Sequence, residues 1–336
     1  MNGSCVCVCV CFACPTAVIS FFLSLPQELY HTFVLEERFG FNKKTWKLFV
    51  IDTVKSALIA VVLGVPLISG IIAIVRYTGR LFALYLWLFT TVVSVIMVII
   101  YPIVLLPIFN KLTPLPDGPL RDKLSELSEK VGFSFSQVLV MDGSKRSGHS
   151  NAFFTGFGKQ RKIVLYDTLL EQLSEDEVCS VLAHELGHWT HMHIYKSFVL
   201  LSVHNLLTFA LFSKFIDDEK LFMDFGFNLP AGQHPVVIGL SLFMMVFEPI
   251  DSVFSFLLNS LMRRFEYQAD AFATNLGYDL SVSLVKLTVE NSSTLIIDPL
   301  YSAYHYDHPT LIERLTAMDA IKDGYAAGSQ IKPKDD

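Results

Sequence analysis

The chain has 336 residues, of which 52% are hydrophobic and only 17% charged, and its mean hydropathy is +0.47. Soluble domains of this length carry more charge, so the composition excludes an ordinary soluble protein and favours the membrane class. The net charge of −6 offers no basic surface, so nucleic acid is not an expected partner.

Taken in chain order, five stretches are long and apolar enough to cross a bilayer: Cys5–Leu25, Val54–Val75, Leu81–Leu105, Ser197–Phe215 and Val236–Leu258. The first is not a signal peptide: no basic segment precedes it, and Pro26 stands where a small-residue cleavage site is needed. Its cysteines, at positions 5, 7, 9, 11 and 14, alternate with valine over most of the run. That pattern reads as a low-complexity apolar segment rather than a thiolate site or a disulfide scaffold. Cys179 stands apart and reads as a buried core thiol.

Between the third and fourth spans lies a polar insertion, residues 109–196. Leu120–Val131 reads as an amphipathic helix, and Gln137–Met141, Ser150–Phe157 and Lys162–Tyr166 read as strands. A turn at Gly158 joins the last two as a hairpin. Ser174 with Glu177 forms a capping box that opens a further helix. No breaker interrupts that helix, so it is expected to run from Glu175 through the fourth span. The sequence thus divides into membrane helices over 1–108, the insertion over 109–196, membrane helices over 197–260, a helical region over 261–322 and a disordered tail over 323–336. Arg38, Lys43, Lys44, Lys47, Arg263 and Arg264 fall on the side of the insertion by span parity, which makes that side cytosolic.

Residues 184–188 read HELGH. On a helix, the i, i+4 spacing puts His184 and His188 on one face, where two imidazoles can share one Zn²⁺. Glu185 borders that face without ligating, as suits a base that takes a proton from water. Gly187 leaves the site uncrowded at some cost in helix propensity. HExxH alone also fits a pair of solvated or core histidines. However, ionisable groups among apolar residues at a membrane boundary need a reason, and FEYQADAFA at 265–273 supplies a second acidic pair. Glu266 would complete a His₂Glu set with one position left open. Asp270, four residues on, would hydrogen-bond a ligating imidazole and fix its tautomer.

HELGHW at 184–189, EYQAD at 266–270, SGHSNAFFTGF at 147–157 and DPLYSAYHYDHPTLIERL at 298–315 together resemble the type I CAAX prenyl protease family, its plant-type members most. The resemblance runs from Leu25 to Ala320. It implies a mostly α, multi-spanning helical membrane protein enclosing a chamber, with a small α+β zincin-like catalytic insertion. It also implies an endopeptidase with one Zn²⁺ per chain that removes the last three residues of farnesylated CAAX proteins. The expected partners are prenylated substrates and membrane lipid, and the chain is expected to be a monomer. The strand at Asn151 and Ala152 resembles the edge that aligns a peptide, a use of strand edges that is physically sound, although an ordinary hairpin is the other reading. His308 resembles the family's oxyanion donor and Arg314 an anchor for a substrate carboxylate. From the residues alone, these two read as a loop histidine and a helix-surface charge.

Lys332 and Lys334 resemble a cytosolic dilysine signal, which agrees with an endoplasmic-reticulum membrane protein whose C-terminus is cytosolic. The Cys–Val run stands where family members carry a full membrane helix, so an altered or truncated N-terminus and an incomplete chamber wall are expected. Two other functions fit the same sequence: a membrane quality-control zinc protease without a prenyl requirement, and an inactive binding paralogue.

Overall fold

The structure, a computed structural model, describes residues 3–156, 161–216, 218–228 and 234–324, with side chains from residue 15 onward. The chain divides into two compact units. One comprises Met1–Phe109 and Ser197–Ser252, the other Asn110–Lys196 and Val253–Asp336.

The first unit is helical. It holds α1 (Gly3–Tyr30), α2 (Trp46–Tyr77) and α3 (Phe82–Ile100), which runs on through a π-helical turn into α4 (Leu106–Phe109). Among the described residues, four helical stretches are long and apolar enough to cross a membrane: Trp46–Tyr77, Gly79–Phe109, His193–Phe215 and Val236–Asn275. The first span expected from sequence lies on α1, partly on residues whose side chains are outside those described. Leu58, Val61, Val62 and Val199 are exposed, as lipid-facing side chains must be. Inside the unit, Phe82, Phe212, Phe243 and Phe247 form an apolar cluster. Some polar groups on the spans face one another. Trp87 Nε1 donates to Ser202 O at 2.9 Å and to Ser202 Oγ at 3.0 Å, and His204 Nε2 lies 3.2 Å from Asp251 Oδ1. Each such pairing lowers the cost of a polar group where water cannot serve.

The second unit mixes helix and sheet. Its strands β1 (Leu112–Pro114), β2 (Gln137–Met141), β3 (Ala152–Thr155) and β4 (Lys162–Tyr166) lie in the order β1-β2-β4-β3. β2 and β4 run parallel, and the outer pairs are antiparallel. The expected pairing of β3 with β4 is present, with Ala152 opposite Leu165; the turn at Gly158 lies outside the described residues. β1 is a strand that alternation does not reveal, because it is three residues long. The expected strand at Ser150–Phe157 is shorter than its sequence pattern. Residues before Ala152 are irregular because side chains take their carbonyls: Thr168 Oγ1 donates to His149 O and Gln172 Nε2 to Gly148 O. Both donors sit on α6 (Asp167–Gln172).

Helix α5 (Pro119–Val131) buries Leu124 and Leu127 and ends at Gly132, whose φ is +73°. Phe133 N–H then bonds Ser128 O at 2.8 Å, a left-handed cap that glycine forms without strain. Helix α7 (Glu175–Thr190) opens as expected, with Ser174 N–H donating to Glu177 Oε2 at 2.8 Å. Its other end differs from the expectation of one helix running into the fourth span. α7 stops at Thr190, Met192 adopts φ 56°, and α8 (His193–Phe215) begins afresh. A left-handed methionine costs roughly 1–2 kcal/mol, and His193 follows this break directly.

The remaining helices are α9 (Glu219–Asp224), α10 (Val236–Asn275), α11 (Leu280–Glu290), α12 (Pro299–His305) and α13 (Leu311–Lys322). The fifth span and the EYQAD segment, separate in the sequence reading, belong to the one 40-residue helix α10. Leu182, Ala183 and Leu186 of α7 pack with Ala273, Leu280, Met318 and the sheet in a single core. Cys179 is buried within it. The dilysine tail lies outside the described residues.

Candidate metal centre

Helix α7 and the part of α10 that lies in the second unit build the site, and a glycine lets them meet. A methyl group on Gly187 would lie 2.8 Å from Ala269 Cα. With hydrogen there instead, α7 and α10 touch backbone to backbone. The i, i+4 pair of α7, His184 and His188, then faces the i, i+4 pair of α10, Glu266 and Asp270.

His184 Nε2 and His188 Nε2 are 3.2 Å apart. Glu266 Oε2 lies 3.5 Å from the first and Oε1 lies 3.2 Å from the second. Ligands at about 2.0–2.1 Å around a tetrahedral ion stand about 3.3–3.4 Å from one another. The donor triangle therefore has the size a zinc ion requires, and its donors, two imidazoles and a carboxylate, are the kinds zinc takes. One ligand atom from each of His184, His188 and Glu266 lies within 4.8 Å of the others.

Behind the triangle, each imidazole is held by its other nitrogen. His184 Nδ1 is 2.8 Å from Asp270 Oδ1, which is almost fully buried. Arg314 grips Asp270 with two bonds, Nε to Oδ2 at 2.8 Å and Nη2 to Oδ1 at 2.5 Å. The third guanidinium nitrogen, Nη1, is 3.6 Å from Glu266 Oε2. Burial works against the Arg314 charge, but the Asp270 carboxylate outweighs it and holds its pKa above the ordinary value. His188 Nδ1 is 3.0 Å from His193 Nδ1, and His193 Nε2 is 2.9 Å from Gln268 Oε1.

Glu185 is half-buried beside the triangle. Burial pushes its carboxyl up; the charges of His184 and His188 oppose that shift and Glu266 adds to it. For His188, burial disfavours the charged form, yet the hydrogen bond and charge of Glu266 prevail and raise its pKa. His308 is exposed at the mouth of the site. Its Nε2 is 3.5 Å from Glu266 Oε1, and its Nδ1 is 2.8 Å from Asp307 Oδ1. Asn151 and Ala152 are on β3 or immediately before it, the sheet edge that packs against α7. Asn151 Oδ1 accepts the Ala152 N–H at 2.8 Å.

The residues singled out from sequence at the triangle, with Asp270, Arg314 and His308, thus lie within one cluster. Asn151 and Ala152 are on a neighbouring strand. Sequence reasoning missed three more. Arg263, buried one turn before Glu266, donates to Ser302 Oγ, His308 O and Glu313 Oε1 at 2.8, 3.1 and 2.7 Å. It ties the loop carrying His308 to the helix carrying Glu266. His193 and Gln268 are the others. The density of histidine in HELGHWTHMH was a signal for His193, but an unbroken helix would have turned it away from His188.

Residues 114–322 match the family model described as peptidase family M48, and residues 1–111 match the one described as CAAX prenyl protease N-terminal, five membrane helices. The CAAX prenyl protease 1 homolog of Oryza sativa is 48% identical over 88% of this chain and 69% of its own length. CAAX prenyl protease 1 of Saccharomyces cerevisiae is 40% identical over 91% and 70%. The crystal structure of S. mikatae Ste24p superposes with a TM-score of 0.88 at 40% identity, covering 92% of this chain and 75% of that one.

Proposed function

The chain belongs to peptidase family M48 and carries that family's CAAX prenyl protease N-terminal region, and from that premise we propose that it removes the last three residues of farnesylated CAAX proteins by zinc-dependent hydrolysis. It is a multi-pass membrane metallopeptidase. The observation that most supports the zinc reading is the donor triangle, with edges of 3.2, 3.2 and 3.5 Å.

His184, His188 and Glu266 would hold one zinc ion, which when bound supplies a Lewis acid and lowers the proton affinity of water. Glu185 takes the proton of the attacking water and passes it to the leaving amine. Asp270, clamped by Arg314, accepts the Nδ1 proton of His184 and leaves its Nε2 lone pair facing the triangle. His308, when protonated, donates from Nε2 to the carbonyl oxygen as it gains charge, and Asp307 holds its other nitrogen. Arg314 Nη1, turned toward Glu266 rather than Asp270, is the group that would meet a substrate carboxylate. An extended substrate adds to the outer edge of β3 through main-chain hydrogen bonds, with Asn151 and Ala152 at its start.

We place the protein as a monomer in the endoplasmic-reticulum membrane, with its C-terminus cytosolic. The resemblance supports the compartment. Arg38, Lys43, Lys44 and Lys47 with Arg263 and Arg264 support the orientation. Cleavage of one CAAX peptide in farnesylated and unprenylated form, with and without chelator, tests the reading. Chelator-sensitive cleavage of the farnesylated form alone is expected. Equal cleavage of both forms would instead favour a quality-control protease.

A further inference from the structure

The two ligand histidines are backed by different chemistry. His184 Nδ1 faces a carboxylate, that of Asp270, at 2.8 Å. Behind His188 stands another imidazole, His193, and behind that an amide, Gln268. His193 is 2% exposed. Its ring lies flat on Phe265, with centroids 4.1 Å apart and planes within 7°, so it presents fixed atoms on each side. The break at Met192 that ends α7 is what sets His193 here.

Proton counting gives the chain a direction. A neutral imidazole carries one N–H. If His188 ligates through Nε2, its proton is on Nδ1 and must be donated to His193 Nδ1. That nitrogen is then bare, so the single proton of His193 is on Nε2. Gln268 Oε1, 2.9 Å away, accepts it. Each link has one donor and one acceptor, and reversing either link sets two protons between two heavy atoms.

We propose that His193, with Gln268 accepting its remaining proton, forms a tautomer relay that holds the Nε2 lone pair of His188 toward the metal. Both are positioning residues, and the relay rests on the reading of His188 as a zinc ligand. A neutral relay orients the ring without adding a further negative charge to a ligand that already has Glu266 at 3.2 Å.

Gln268 is the place to test it, because it is exposed and sits two bonded partners away from the metal. Gln268→Glu can only accept, so the relay keeps its direction. Gln268→Lys can only donate. It forces the His193 proton onto Nδ1, against the proton of His188. Wild type and both variants are purified in detergent and loaded with zinc, and zinc affinity is measured by chelator competition beside a melting curve. Expected are wild-type affinity in Gln268→Glu and about 10–100-fold weaker binding in Gln268→Lys, the range for losing a ligand's hydrogen-bond partner. The loss should persist in 1 M salt, where the screening length is about 3 Å. Simple repulsion by the exposed lysine would fade there. Equal affinity in the two variants, or a deficit erased by salt, would overturn the relay and leave zinc at His188 standing. A wild-type protein that binds no zinc would overturn the ligand assignment and the relay with it.

Discussion

Gly187→Ala should damage the metal centre without touching any ligand. The new methyl group would lie 2.8 Å from Ala269 Cα, 3.1 Å from its carbonyl oxygen and 3.2 Å from its Cβ. Carbon atoms rest about 3.5–4.0 Å apart, so α7 and α10 would have to separate by roughly 0.7–1.2 Å. The obstacle is backbone, which no rotamer change removes. Glu266 is one turn before Ala269 and moves with it, whereas ligand distances tolerate only about 0.2 Å. On the stability side, Gly→Ala in a helix gains about 1 kcal/mol, while overpacking costs about 1–3 kcal/mol. The net loss of roughly 0–2 kcal/mol leaves a folded protein. Zinc affinity should fall by about 10–100-fold or more. Chelator competition and a circular-dichroism melt on the same sample read both quantities. Adding Ala269→Gly should not rescue binding, since the nearest atom is Cα. Wild-type zinc affinity with a raised melting temperature would refute the reasoning, because it would mean the helices have slack at this contact.

Other expectations follow from the same geometry. His308→Ala should lower kcat and kcat/KM together by about 10²–10³ and leave KM nearly unchanged, since the residue is placed to act on developing charge; a raised KM at normal kcat, read from steady-state kinetics, would reassign it to substrate binding. Arg263→Met should lower activity with zinc content intact, because it frees the His308 loop but no ligand; metal analysis beside turnover separates this from loss of the site. The Glu177 carboxyl is held below its ordinary 4.5 by the Lys286 ammonium and the Ser174 cap. A depressed folded-state pKa contributes stability above the unfolded value and loses it as pH falls through the folded one. Wild type should therefore melt above Glu177→Gln at pH 7, with the gap closing below about pH 4.5; a gap independent of pH would assign the effect to packing.

Much of this was legible because it rests on local rules. The i, i+4 spacings of His184 with His188 and of Glu266 with Asp270 define faces whatever surrounds them. The Ser174 cap and the strands at 137–141 and 162–166 follow from equally short-range patterns. What was not legible depends on contacts between elements. Nothing local stops α7 at Thr190. After the break at Met192, His193 meets His188, Gln268 and Phe265, residues up to 75 positions away. Likewise, β1 is too short to alternate and exists through its pairing with β2. Gly187 looked permissive in sequence, and only Ala269 gives it a reason. Arg263 reads as one of two basic residues after a span, and its three bonds depend on where Ser302, His308 and Glu313 arrive.

The central claim is that His184, His188 and Glu266 hold one zinc ion while Glu185 does the proton transfer. Metal content and farnesylated-peptide cleavage, measured together on wild type, Glu185→Gln and Glu266→Ala, test it most directly. The account predicts about one zinc per chain in wild type and in Glu185→Gln, with cleavage lost in the latter because an amide cannot take the proton. It predicts little zinc in Glu266→Ala, which keeps two protein ligands. Full zinc in Glu266→Ala, or sustained cleavage by Glu185→Gln, would contradict it.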